Sequence, residues 1–210
     1  MTRIKICGIR EPQTIEAITR NAIDAVGFNF WPNSRRFVEP DDAALLSEQL
    51  GSKVLRIGLF VDPTPEYVRE VLSVCKIDLL QLHGSESPAF CRSLGTPFMK
   101  AFPLRDPSVL ARIPDYLDSE DHPYLVDAWS PAGPGGTGTA VNLTLAQKAR
   151  EEGTKMFLAG GLTPHNVSEA IAAVKPWAVD VASGVEGTSG DLDPSHIQAF
   201  GNAVRWSAKQ

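Results

Sequence analysis

Eight short runs rich in Val, Ile, Leu and Phe alternate with longer stretches whose apolar residues recur at helical spacing. This repetition restricts the fold more than any other feature of the chain. The candidate strands are 3–7, 24–30, 53–60, 78–82, 97–102, 123–127, 155–159 and 178–182. Between them lie amphipathic stretches such as the one carrying Tyr67, Val68, Val71, Leu72 and Cys75. Spread over 210 residues, the repeat averages about 26 residues, near the lower size limit of a (β/α)8 barrel.

Proline placement gives the same count independently. Pro12, Pro40, Pro65, Pro88, Pro107, Pro164 and Pro194 each precede an apolar-periodic run, where a missing amide hydrogen costs nothing because the first helical turn has no acceptor for it. Thr64, Ser87, Asp106, Thr163 and Asp193 stand immediately before five of them as candidate caps. Only the sixth helical stretch, opening near Asn142, lacks the proline. The expected architecture is a single-domain (β/α)8 TIM barrel spanning residues 1–210, with no linker long enough to divide it. An open doubly wound sheet is the alternative, but it usually places a glycine-rich phosphate loop after its first strand. Here Gly8 is the only glycine in that turn, and the glycines gather after strands six, seven and eight.

A formal net charge of -5 argues against nucleic acid or an acidic membrane as partner, since both require excess Lys and Arg. An anionic substrate must therefore be gripped by local donors. No apolar run approaches the ~20 residues of a membrane span, and the opening MTRIKICGIR enters a strand directly, without the apolar centre of a secretory signal. The three cysteines, Cys7, Cys75 and Cys91, are odd in number and lack metal-ligand spacing, which fits a reduced cytoplasmic compartment and no metal.

Barrel enzymes work at the C-terminal ends of their strands. Cys7 ends strand one, where a thiol serves either as base or nucleophile or as a small buried hydrophobe. Lys5 shares its strand face, and Asp180 inside strand eight is a plausible partner for that ammonium in a structural ion pair. Asp127 ends strand six, about 15 residues before the next helix, too far to read simply as a cap. A carboxyl group there can act as a general acid. His83 ends strand four and reads as a hydrogen-bonded wall residue rather than a catalyst. Three glycine-bearing segments, around Gly135 to Gly138, Gly160 and Gly161, and Ser183 and Gly184, follow the last three strands. Glycine lets backbone amides approach phosphate oxygens closely, so three such loops in succession point to a phosphate. Arg35 and Arg36 follow strand two; a guanidinium can hold a carboxylate through two parallel hydrogen bonds.

Several of these segments together resemble the phosphoribosylanthranilate isomerase family of tryptophan biosynthesis. They are Lys5-Ile6-Cys7-Gly8-Ile9, Gly27-Phe28 with Ser34-Arg35-Arg36-Phe37, Gln81-Leu82-His83-Gly84, Asp127 with Gly135-Gly136-Thr137-Gly138, Leu158-Ala159-Gly160-Gly161-Leu162, and Val179-Asp180-Val181 with Ser183-Gly184-Val185-Glu186. The resemblance implies an Amadori rearrangement of N-(5-phosphoribosyl)anthranilate, a small-molecule substrate, by a monomer or homodimer without cofactor. It implies Asp127 as general acid at the furanose ring oxygen, Cys7 as general base at C2, and Arg36 on the anthranilate carboxylate. The phosphate would lie on amides of Gly138, Gly160, Gly161, Ser183 and Gly184, with His83 in the substrate site and Lys5 and Asp180 in support. The sequence departs from the family pattern at Thr139, Val141, Asn142 and Leu143, where lysine and then Phe-Asp-Trp are frequent, and at Leu192, where lysine is. A related histidine-pathway isomerase would instead carry an aspartate at strand one and a second phosphate site. A non-enzymatic phosphate binder would have no use for Cys7 and Asp127 at strand ends.

Overall fold

In the computed structural model, which describes residues 1–129 and 140–207, eight parallel strands pair in sequence order and β8 returns to β1, closing a barrel. The strands are β1 (Arg3–Cys7), β2 (Ala25–Asn29), β3 (Leu55–Phe60), β4 (Leu79–Leu82), β5 (Phe98–Leu104), β6 (Tyr124–Ala128), β7 (Met156–Leu158) and β8 (Ala178–Val181). Among the described residues seven α-helices surround them: α1 (Gln13–Arg20), α2 (Pro40–Gln49), α3 (Pro65–Val74), α4 (Pro88–Ser93), α5 (Leu143–Ala149), α6 (Val167–Val174) and α7 (Pro194–Ser207). No helix among the described residues is long and apolar enough to cross a membrane.

The strands read as near-continuous apolar runs because both of their faces are covered. Side chains alternate across a strand, so Ile4, Val26, Leu80, Phe98, Phe102, Val126 and Val179 pack outward into one core shared with the helices. Ala25, Ile57, Leu79, Met99, Ala101, Leu125, Phe157 and Ala178 point inward and form a second, smaller core inside the barrel. Two buried cations interrupt the outer layer. Arg56 of β3 donates to the carbonyls of Ser47, Leu50 and Val54, closing the C-terminal end of α2 where the orphan carbonyls and the helix dipole favour positive charge. Lys100 of β5 pairs with Glu86 at 3.1 Å. Glu86 in turn accepts from the amides of Asp62 and Gly84, bracing the turns after β3 and β4.

Helix starts follow the proline and cap pattern at α3, α4 and α7, where Thr64, Ser87 and Asp193 accept from Tyr67, Phe90 and Ser195 amides. Asn142 supplies the missing cap of α5 by accepting from Leu145 N. Two expectations need correction. After β5 the chain forms short 3-10 segments, Pro107–Arg112 and Pro114–Tyr116, in place of an α-helix. Pro114 has no amide to donate and its ring would meet the carbonyl four residues back, so a helix opened by Asp106 cannot run through it. Pro164 likewise opens a turn rather than α6, which begins three residues later at Val167. Thr163 spends its hydroxyl on His165 N, and Asn166 occupies the cap position.

Candidate active site

Toward the C-terminal ends of the strands the inward-facing layer changes from apolar to polar. A single cleft there is lined by Cys7, Arg36, His83, Asp127 and Asp180, together with Gly160, Gly161 and Ser183. Residues expected from six different strand ends are therefore brought to one mouth.

Lys5 and Asp180 are register partners on β1 and β8, and their side chains meet at 2.9 Å with almost no solvent exposure. Burial alone disfavours the Lys5 ammonium, but attraction to Asp180 and Cys7 outweighs it and holds the lysine above its ordinary pKa. Burial also drives the Asp180 carboxyl upward against the pull of Lys5; at 2.9 Å the ion pair is the state the geometry favours. Asp180 Oδ1 has no hydrogen-bond partner among the described residues. Cys7 lies two residues above Lys5 on the same face. Burial pushes its thiol above the ordinary range, Lys5 and Arg36 pull it down, and Asp180 adds to the rise; burial prevails. Cys75 and Cys91 are buried outside the cleft, so for them the small-hydrophobe reading stands.

On the facing wall, Asp127 at the end of β6 accepts from Ala128 N at 2.8 Å through Oδ1. Its Oδ2 lies 3.4 Å from His83 Nε2. Gln81, two residues before His83 on β4, donates to His83 Nδ1 at 3.0 Å. Gln81 and Asp127 thus hold the two nitrogens of the His83 ring from opposite sides. Gln81 was not expected in the site, although its position on the inward face of β4 was a readable signal.

Arg36 reaches the cleft from the loop after β2. Asn29 shapes that loop by accepting from Trp31 N and donating to Ser34 Oγ, which accepts from Arg36 N. Gly8, at φ +90, leaves the path open: a Cβ there would stand 2.6 Å from Arg36 Cδ. The guanidinium is buried and its Nε donates to Glu186 Oε1 at 2.6 Å, while Arg35 holds Glu186 Oε2 at 2.5 Å. Arg36 Nη2 has no partner among the described residues. Glu186 and Asn29 thus hold Arg36 and its loop in place, and no spacing in the sequence marks that partnership.

Gly160 and Gly161 turn the chain after β7 at φ +101 and +61. A Cβ on Gly160 would stand 2.5 Å from Ala128 N, so only glycine fits there. Asn166 braces this turn from α6, donating to Gly161 O and accepting from Thr163 N. Ser183 and Gly184 begin a short 3-10 turn after β8, and Gly184 packs so tightly that a Cβ would overlap the carbonyl of Leu162. The amides of Gly161, Ser183 and Gly184 find no acceptor among the described residues. Gly138, with Gly135, Gly136, Thr137 and Thr139, lies outside those residues.

A match to the family of N-(5'phosphoribosyl)anthranilate (PRA) isomerase runs from residue 4 to residue 203. The chain belongs to this isomerase family. A relative of that name from Trichlorobacter lovleyi is 42% identical over 200 residues, covering 95% of this chain and 96% of its own length. Another, from Geobacter sp. strain M21, is 44% identical with the same coverage of both chains, 95% and 96%. The crystal structure of phosphoribosyl anthranilate isomerase from Thermotoga maritima superposes with a TM-score of 0.89 at 35% identity, over 98% of this chain and 100% of that one. A second isomerase structure, solved with reduced 1-(o-carboxyphenylamino)-1-deoxyribulose 5-phosphate, superposes with a TM-score of 0.86 at 33% identity, over 98% and 100% of the two chains.

The departures from the isomerase pattern have local structural places where they are described. Val141 is buried and its amide donates to Gly160 O, while Asn142 caps α5 and Leu143 opens it. Leu192 pairs through its backbone with Glu186 in an antiparallel bridge, so the loop is fixed there by main chain rather than by side-chain charge.

Proposed function

We propose that the barrel mouth converts N-(5-phosphoribosyl)anthranilate into 1-(2-carboxyphenylamino)-1-deoxyribulose 5-phosphate, the third step of tryptophan synthesis from chorismate. The observation that carries this reading is that one cleft gathers Cys7, Asp127, Arg36, Gly161 and Ser183. An acid, a base, a carboxylate grip and a phosphate cup are thus available to one small molecule. Asp127 gives its proton to the furanose ring oxygen as the C1–O bond breaks, leaving an iminium at C1. The iminium acidifies the adjacent C–H, and Cys7 as thiolate removes the C2 proton to form the enolamine, which becomes the ketone as C1 takes up a proton and the C2 hydroxyl loses one. The rearrangement moves electrons between neighbouring carbons of one molecule, so it draws on no external oxidant or reductant. We place this chemistry in the cytoplasm, in a monomer or homodimer.

The deciding experiment is to add purified protein to N-(5-phosphoribosyl)anthranilate and follow anthranilate fluorescence. Enzyme-dependent, saturable loss of the signal is expected; no loss at micromolar enzyme would overturn the assignment.

Two variants address the substrate's anionic ends. Arg36→Ala should raise KM and weaken competitive inhibition by anthranilate, with folding intact by circular dichroism. Unchanged anthranilate inhibition would remove Arg36 from this role. Gly184→Ala would force the loop after β8 away from Leu162 and displace its amides. A lost charge-assisted bond to phosphate costs about 1.5–3 kcal/mol, so the inhibition constant of inorganic phosphate should rise roughly ten- to a hundredfold. Equal phosphate inhibition of the variant and the parent would place the phosphate elsewhere.

A further inference from the structure

A carboxylate stands where an anionic substrate should least tolerate one. Glu186 lies two residues beyond Gly184, and its side chain is 7% exposed against Arg36. A buried negative charge on the phosphate-cup loop, set against the carboxylate grip, repels an anionic ligand unless it is neutralised and put to use. Two arginines neutralise it, Arg35 at 2.5 Å and Arg36 at 2.6 Å. Its own backbone is fixed: its amide donates to Ser183 O, its residue pairs with Leu192, and its carbonyl lies 3.0 Å from His196 Nδ1. Arg10 ties the same loop from the other side, bonding Asp191 and the carbonyl of Arg35.

We infer that Glu186 is the positioning residue of the carboxylate grip: it holds the Arg36 guanidinium by Nε and so leaves Nη2 as the donor presented to the substrate. An unrestrained arginine carries considerable rotamer entropy, which ligand binding would otherwise have to remove. The clamp removes it beforehand. It also explains why Nη2 stays buried without a partner among the described residues, since a ligand oxygen completes it. Because Glu186 shares a segment with Ser183 and Gly184, the grip is built on the same loop as the phosphate cup.

This inference rests on the reading of Arg36 as the carboxylate ligand, and the test separates the two. Inhibition constants for anthranilate and for inorganic phosphate are measured on the parent, Glu186→Gln and Arg36→Ala, together with KM and kcat. Glu186→Gln should raise KM and weaken anthranilate about tenfold or more, with a smaller change in kcat and phosphate inhibition little altered. If Glu186 were only a local negative charge, the same change would strengthen both anions. That result, or unchanged anthranilate inhibition, overturns the clamp while Arg36→Ala still reports on Arg36. Equal weakening of both anions would mark a general loss of loop structure and also overturn it. If Arg36→Ala leaves anthranilate inhibition intact, the reading of Arg36 fails and the clamp with it. Should Glu186→Gln not fold, Arg36→Lys with Glu186 in place decides the point. A lysine keeps the charge but has no fork to divide between Glu186 and a ligand, so anthranilate should weaken as in Arg36→Ala, and retained affinity would overturn the clamp.

Discussion

Asp127→Asn is expected to lower kcat by about 10²–10⁴, the usual worth of one positioned acid or base, while substrate binding persists. The amide keeps the shape of the carboxyl group and can still accept from Ala128 N, the bond that orients Asp127 at 2.8 Å. It cannot deliver a proton to a departing ring oxygen. Cys7→Ser should show a similar loss at the other proton, because a hydroxyl ionises far less readily than a thiol in the same buried position. Since burial raises the Cys7 thiol, kcat/KM of the parent should climb with pH on the alkaline side of the ordinary thiol range, as the base ionises. Single-turnover measurement of both variants checks the assignment. Near-normal turnover in either would reassign the step, with His83 and Asp180, both facing the same cleft, next to be tested.

The barrel was legible because its repeat is written twice, once in apolar runs and once in prolines. β1 was expected at 3–7 and occupies Arg3–Cys7. Where boundaries moved, a competing local force is identifiable. β5 continues to Leu104 through Pro103, since proline forfeits only a donor and the strand stays in register with Asp127 and Ala128 of β6. Pro114, inside a would-be helix, could not be accommodated in this way. The candidate site was legible to the extent that polar groups ending strands, Cys7, His83 and Asp127, line one cleft. Partnerships across the barrel were harder to read. Lys5 with Asp180 could be guessed from opposite charge on inward faces, whereas Glu186 gripping Arg36 joins residues 150 apart in sequence through two irregular loops, and no periodicity encodes that. Arg56 and Lys100 are not legible in the same way, because charged residues in apolar runs become intelligible only once the carbonyls and the carboxylate they satisfy are in place.

Lys5→Met should have the second large effect, and it separates stability from chemistry. Removing one member of a buried ion pair leaves the other charge uncompensated, at a cost of about 3–5 kcal/mol, a large part of the roughly 5–15 kcal/mol that holds a domain folded. The stranded Asp180 carboxyl, already raised by burial, loses the Lys5 attraction that opposed the rise. A carboxyl whose folded pKa exceeds its unfolded value binds its proton more tightly when folded. Its penalty is therefore absent at acid pH and grows as pH climbs from the ordinary carboxylate range through the raised value. The melting-temperature deficit of Lys5→Met should accordingly be small in acid and large at neutrality. Catalysis should shift the other way along the pH axis: Lys5 is the strongest pull lowering the Cys7 thiol, and without it the alkaline limb of kcat/KM moves further up. The double variant Lys5→Met with Asp180→Asn removes the stranded charge, so most of the lost stability should return. The limb should not return fully, because the pull of Lys5 on the thiol exceeds the push of Asp180. If the double variant recovered stability and the parental pH profile together, Lys5 would be a packing residue with no influence on the base.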